Sequence, residues 1–141
     1  MLVKGIVPEC EIFDLSMIGT AHRLADERLI RYPIHYNFAL GFESSLDARP
    51  DNLYFLRSLI PFTSTWGLIH NGMKDFTLIA CALSLDATVI RVGFEDSVYY
   101  SPNVVAESNV VLVKKIRELV NSLGLDIAKE SEAREILLNQ K

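Results

Sequence analysis

Positive charge, cysteine and long apolar runs are all scarce in this chain, and each shortage removes a class of function. Fourteen Lys and Arg stand against eighteen Asp and Glu, a formal net charge of −4. No basic cluster offers the electrostatic footprint that nucleic acid requires. The two cysteines, Cys10 and Cys81, lie far apart in apolar runs and form no C-x-x-C pair, which points to buried free thiols in a reducing cytoplasm. No apolar run approaches the roughly 18–20 residues of a membrane span. The opening Met1-Leu2-Val3-Lys4-Gly5-Ile6-Val7-Pro8 is too short and too soon broken for a signal peptide. A cytoplasmic protein without membrane or nucleic-acid partners is the expectation. The sequence also lacks G-x-G-x-x-G, P-loop and G-x-S-x-G motifs, which lowers nucleotide-cofactor and serine-hydrolase readings. It has no H-x-H or H-x-x-x-H pair, so it offers no self-sufficient zinc site. Without a linker or low-complexity tract, residues 1–141 read as one domain. At 141 residues the chain is too short for a complete eight-stranded α/β barrel, which takes about 250.

What is present is a repeated alternation of strand and helix. Half of the residues are hydrophobic and 23% charged, enough for one core and too apolar for disorder. Glu9–Leu15 predicts a strand, and Ile18, Ala21, Ala25 and Leu29 mark a helix from Met17 to about Arg31, ended by Pro33. His35–Phe42 predicts a second strand, and Pro50 opens a helix with Leu53, Leu56 and Ile60 as its buried stripe. Thr63–Ile69 follows as a third strand, and after the loop His70-Asn71-Gly72 a helix carries Phe76, Ile79, Ala80 and Leu83. Thr88–Phe94 predicts the fourth strand. An irregular stretch with Tyr99, Tyr100 and Pro102 leads to a long helix from near Val104, closed by Gly124 at C′, and Ser131 caps a last helix through Leu138. About four β-α units imply a parallel sheet with right-handed crossovers. Four is an awkward number for an open sheet or a barrel. Lys4-Gly5-Ile6 resembles the tail of a helix whose body is absent, so the pattern is that of the second half of something.

In parallel α/β folds the chemistry gathers at the carboxyl ends of strands. Glu9 and Glu11 share one face of the first strand; they are either an exposed strand start or carboxylates with work to do. On the fourth strand, alternation places Arg91, Gly93 and Glu95 on one face, with Asp96 next. Arg91 with Asp96 or Glu95 is either a structural ion pair or a metal-binding carboxylate beside an activated Arg–Asp pair. His22 lies on a helix face and is expected to be solvated. His35 opens a strand, and His70 follows the third strand at its functional end.

These residues resemble a known family. Arg91-Val92-Gly93-Phe94-Glu95-Asp96, followed by Ala106-Glu107-Ser108-Asn109 and Leu112-Val113, is similar to the C-terminal half of the β-keto acid cleavage enzymes, the family of the 3-keto-5-aminohexanoate cleavage enzymes of lysine fermentation. Pro8–Phe13, Phe38–Gly41, Pro50–Leu53, Thr65-Trp66 and Glu132–Leu137 fall in the family's order, so the resemblance runs over essentially the whole chain. It implies the C-terminal half of a (β/α)8 TIM barrel and a zinc-dependent transferase, in which a β-keto acid reacts with acetyl-CoA to give acetoacetate and a new acyl-CoA. By the same resemblance Glu95 is the carboxylate ligand of the metal, Arg91 the catalytic arginine poised by Asp96, and Glu11 the contact to the substrate's distal substituent. The family's two histidine zinc ligands and a substrate-binding serine belong to its other half. Where the family has Gly-Gly pairs, this chain has Glu43-Ser44-Ser45 and Asp86-Ala87.

Three readings follow. The chain is an active half-enzyme completed by an N-terminal half or another copy, a non-catalytic half-barrel remnant, or a flavodoxin-like binding domain. A half barrel leaves two sheet edges uncovered, which predicts a homo-oligomer or a complementary partner.

Overall fold

The computed structural model describes residues 2–138. After a short 3-10 turn at Leu2–Lys4 come β1 (Glu9–Ile12), α1 (Leu15–Asp26), β2 (His35–Leu40), α2 (Pro50–Leu59), β3 (Trp66–His70), α3 (Thr77–Ser84) and β4 (Val89–Ile90). A hairpin of β5 (Tyr99–Ser101) and β6 (Val104–Val105) precedes α4 (Asn109–Ser122) and α5 (Glu130–Leu138). The fold is α/β. Its main sheet is parallel with strand order β1-β2-β3-β4, and each strand is joined to its neighbour by a helix, as the alternating pattern predicts. A flavodoxin-like sheet places its first strand between the second and third, so the sequential order counts against that reading. Among the described residues no helix is long and apolar enough to cross a membrane.

The sheet has two unlike faces. Cys10 and Ile12 stand beside Tyr36 and Phe38, and these beside Trp66 and Leu68. That face packs on Ile18, Ala21, Leu53, Leu56, Ile79 and Ala82 in one contiguous core. The Phe38 and Trp66 rings lie 5.2 Å apart, and fully burying each such side chain stabilises the fold by about 1.5–3 kcal/mol. The opposite face carries Glu9, Glu11, His35, Asn37, Ala39, Gly67 and Ile69 in the same register. The alternation of His-Tyr-Asn-Phe-Ala-Leu in β2 is therefore not apolar-in and polar-out, for all six residues are buried. Cys10 and Cys81 are free and half-buried rather than fully buried. Burial, then the Glu9 charge, pushes the Cys10 thiol up.

Several boundaries differ from the sequence expectation, each for a local reason. β1 stops at Ile12 because Asp14 caps α1, accepting from Ser16 N at 2.8 Å. α1 ends at Asp26, not near Arg31, in a Schellman motif: Leu29 N donates to Leu24 O and Arg28 N to Ala25 O, both at 2.9 Å. Arg28 takes the left-handed position, φ 58°, so Leu29 turns to solvent and Ile30 is buried in its place. α3 ends the same way with Asp86 at φ 64°, and α4 with Gly124 at φ 72°. Asp is among the residues that tolerate this left-handed cap position. β2 ends two residues early, at Leu40, and β3 begins three late and includes His70. β4 is two residues long, since the chain turns at Gly93–Ser97. The stretch around Pro102 is a hairpin with Asn103 at φ 64°, which delays α4 to Asn109. Ser131 lies within α5 and does not cap it.

Gly67 sets how closely β3 and β4 approach. A Cβ there would meet Val89 O at 2.8 Å, Asn37 Oδ1 at 3.0 Å and Val89 Cβ at 3.1 Å, whereas one on Gly19 of α1 would meet nothing within 4 Å. G67A is expected to destabilise the protein by about 1–3 kcal/mol and G19A to stabilise it by about 0.5–1 kcal/mol, as read from urea midpoints. Equal effects at the two positions would contradict this packing.

Candidate active site

The parallel ladder delivers four charged side chains to one place at the carboxyl ends of the strands. Arg91 follows β4 directly, and its N–H donates to Leu68 O at 3.3 Å, so the ladder's register carries one residue past the strand. The Arg91 guanidinium then grips Asp96 with two hydrogen bonds, Nε to Oδ2 at 3.0 Å and Nη2 to Oδ1 at 2.9 Å. Nη2 lies 3.1 Å from Glu95 Oε2, and Nη1 lies 3.4 Å from Glu11 Oε1. Glu11 is on β1, at the far side of the sheet, so this pair crosses the face on which Ala39 and Ile69 are buried.

Asp96 is held from several sides. Its N–H, like that of Ser97, donates to Gly93 O, its carbonyl accepts from Gly72 N at 2.8 Å, and the Ser97 hydroxyl donates to Met73 O. Phe94 N donates to Asn109 Oδ1 at 2.9 Å, tying the turn to the start of α4. The three carboxylates differ in exposure: the Asp96 side chain is 5% exposed, Glu11 42% and Glu95 84%. Asp96 is therefore the fixed partner, while Glu11 and Glu95 can be displaced. The Asp96 hydrogen bonds, against the opposing effect of burial, and then the charges of Asp96, Glu95 and Glu11 hold the guanidinium above its ordinary range, so it stays charged. The arrangement presents an oriented cationic fork to an anionic or carbonyl oxygen, with two exchangeable carboxylates at its rim.

The structure brings Arg91, Asp96, Glu95 and Glu11 together, though not by the strand alternation expected for Arg91, Gly93 and Glu95. The strand ends at Ile90, and the turn at Gly93 returns Glu95 as an i,i+4 partner. The histidines stay apart from it. His22 is half-buried rather than solvated, edge-on to Tyr36 with ring centroids 6.1 Å apart. His35 Nδ1 meets Thr65 Oγ1 at 2.8 Å. Burial lowers the His70 pKa, opposed by the Asp75 charge, and its Nδ1 is buried without a hydrogen-bond partner. Among the described residues no three His, Cys, Asp or Glu side chains gather where they could hold a metal ion. Glu95 is the one expected ligand, and its Oε2 already faces Arg91. This donor set does not fit a four-coordinate zinc site. Sequence reasoning named Asn109 only within a motif, without its bond to Phe94, and missed the Asn37–Glu9 hydrogen bond of 2.5 Å. A polar residue inside an otherwise apolar strand was the available signal for Asn37.

The unequal burial separates two roles. D96N removes a buried charged acceptor and is expected to cost about 1–3 kcal/mol of stability, whereas E95Q, an exposed partner, changes it by less than about 0.5 kcal/mol. Denaturation midpoints check this, and an E95Q loss as large as that of D96N would contradict it.

Comparison with known proteins shows the family of the chain. The family model for beta-keto acid cleavage enzyme matches residues 1–138. The chain is 42% identical over 137 residues to the 3-keto-5-aminohexanoate cleavage enzyme of Acetoanaerobium sticklandii, covering 97% of this chain and 50% of the relative. It is 39% identical over 141 residues to the enzyme of the same name from Fusobacterium nucleatum, covering 100% and 51%. It is 31% identical over 141 residues to the 3-oxoadipate:acetyl-CoA acetyltransferase of Cupriavidus necator, covering 97% and 49%. The chain thus spans about half the length of the curated relatives it matches, and it belongs to the beta-keto acid cleavage enzyme family.

Proposed function

We propose that this chain carries the arginine–carboxylate half of an active site for β-keto acid cleavage. A β-keto acid and acetyl-CoA would give acetoacetate and a new acyl-CoA once four further β-α units close the sheet into a (β/α)8 barrel. The observation that carries the reading is the Arg91 fork, fixed by buried Asp96 at the carboxyl ends of parallel strands, where barrel enzymes place their chemistry. The names of the relatives support it, since they include a 3-keto acid cleavage enzyme and transferases named for acetyl-CoA. Among the described residues no strand pairs with the outer edges of β1 and β4, which supports closure by more strands.

In this reading Arg91 binds the substrate oxygen on which negative charge develops, and Asp96 keeps the guanidinium plane aligned so that no reorientation is needed as the reaction proceeds. Glu11 sits at the rim and meets the substrate's distal end. A carboxylate there suits a substrate bearing a cationic group and disfavours a second carboxylate. Zinc belongs to the proposal by family resemblance. Glu95 is the donor this chain offers, and the other donors would lie outside it. The protein would work in the cytoplasm.

A non-catalytic half-barrel is the competing reading, favoured by the absence of a metal-donor cluster among the described residues. Acetoacetate formation separates the two. The chain alone is expected to bind zinc weakly and give no product. Supplied with the half of the A. sticklandii relative that it does not match, it is expected to turn over, and R91K and E95Q to lower the rate by at least about a hundredfold. Product from the chain alone would refute its incompleteness, and no product with that half would leave the non-catalytic reading.

A further inference from the structure

The loops that leave β2 and β3 meet at one junction, formed by Gly41 and Asn71. The Asn71 N–H donates to Leu40 O at 2.9 Å, and its side-chain Nδ2 donates to Gly41 O at 3.2 Å. The two backbones also touch: a Cβ on Gly41 would stand 2.7 Å from Asn71 O, and Gly41 takes φ 82°. Any side chain at Gly41 would therefore be strained twice, by its own backbone and by its neighbour. The Gly41 N–H donates to Leu46 O at 2.9 Å, and the Leu46 N–H to Phe13 O at 3.1 Å, which ties the junction back to the end of β1. On its other side the junction carries the Asp96 turn. The Gly72 N–H donates to Asp96 O at 2.8 Å, and the Ser97 hydroxyl donates to Met73 O. Asn71-Gly72-Met73 is thus a platform under Asp96 and Ser97. Met73, 3% exposed, pins one end of it to the core. Asn71 pins the other end to β2, for the Nδ1 of adjacent His70 has no hydrogen-bond partner.

We propose that Asn71, seated against Gly41, is a positioning residue for Arg91. It touches neither the guanidinium nor its carboxylates; it fixes the platform that holds Asp96, and Asp96 holds the fork. The relevance of this role to catalysis rests on the reading of Arg91 given above. The geometry explains why so remote a contact matters. A two-point grip such as Nε to Oδ2 and Nη2 to Oδ1 is strong only while donor and acceptor planes stay aligned. Asp96 is carried by a turn, not by a strand, so its carboxylate moves with whatever that turn rests on. At 5% exposure it has little water to fall back on when the grip loosens. The backbone path through Phe13, Leu46, Gly41, Asn71, Gly72 and Asp96 also joins the end of β1 to the Asp96 turn. Glu11 lies two residues before Phe13 on that strand. The carboxylate at the rim and the arginine fork are therefore held in one frame, through the loops above the sheet.

The test is hydrogen exchange on the full chain, read by nitrogen-15 NMR at two places, the Gly72 amide and the Arg91 Nε–H. N71A is expected to speed exchange at both by about three- to tenfold. G41A, which drives a Cβ into Asn71 O, is expected to speed it further; N71A decides the matter whether or not G41A folds. I30V is the control. Ile30 is buried ahead of β2, at the opposite end of the strands, so trimming it lowers global stability and should leave the Arg91 Nε–H protected. Unchanged Arg91 exchange in N71A would overturn the inference, and so would equal acceleration in I30V, which would reduce the effect to stability alone. Neither result bears on acetoacetate formation with the complementary half, and absence of that product would leave the alignment of Arg91 by Asn71 standing.

Discussion

The guanidinium of Arg91 and the buried carboxylate of Asp96 are the contact on which the rest of this structure turns. Two hydrogen bonds of 2.9 and 3.0 Å fix the plane of the cation, and everything nearby is arranged to keep Asp96 in position. The Gly93–Ser97 turn, the Gly72-Met73 backbone and the Asn109 side chain each hold part of that segment. β4 need be only two residues long because its task is to deliver Arg91 to the end of β3, and Gly67 lets the two strands approach closely enough to do so. A buried carboxylate needs its partner, and the partner needs the turn, so the local fold and the candidate chemistry are secured by the same contacts.

The two faces of the sheet divide the energetics from the function. On the helix side, Tyr36, Phe38, Trp66 and Leu68 form the apolar core, which supplies the stability of the folded chain. On the other side stand Glu9, Glu11 and Asp96, with an amide oxygen at Asn37 and an imidazole nitrogen at His35 that are buried without a hydrogen bond. The helix-packed layer is mainly apolar and the opposite layer is polar, so stability and candidate chemistry fall on different sides of one sheet.

Periodicity made the four-stranded alternation legible, because a stripe such as Leu53, Leu56 and Ile60 can be read without knowing its partners. Pro50 and Gly124 behaved as their stereochemistry requires. The ends of α1 and α3 were hidden because Arg28 and Asp86 occupy the left-handed cap position where glycine is the usual signal. The site was legible in composition and not in mechanism of assembly. Arg91, Glu95 and Asp96 adjoin in sequence, yet a turn, not a strand, brings them together. The Glu11 contact spans eighty residues of chain and leaves no local trace. Asn109 was read as part of a motif, but its bond to the Phe94 backbone depends on where α4 starts, and the hairpin before it was invisible to propensity alone.

The central claim, that Arg91 is oriented by Asp96 within this chain before any partner or substrate arrives, has a direct measurement: nitrogen-15 NMR of the arginine Nε–H groups. A persistent Arg91 Nε–H signal with hindered rotation about its Nε–Cζ bond, lost in D96N, is the predicted result. An Arg91 signal that exchanges as fast as that of exposed Arg134 in the unsubstituted protein would contradict the account.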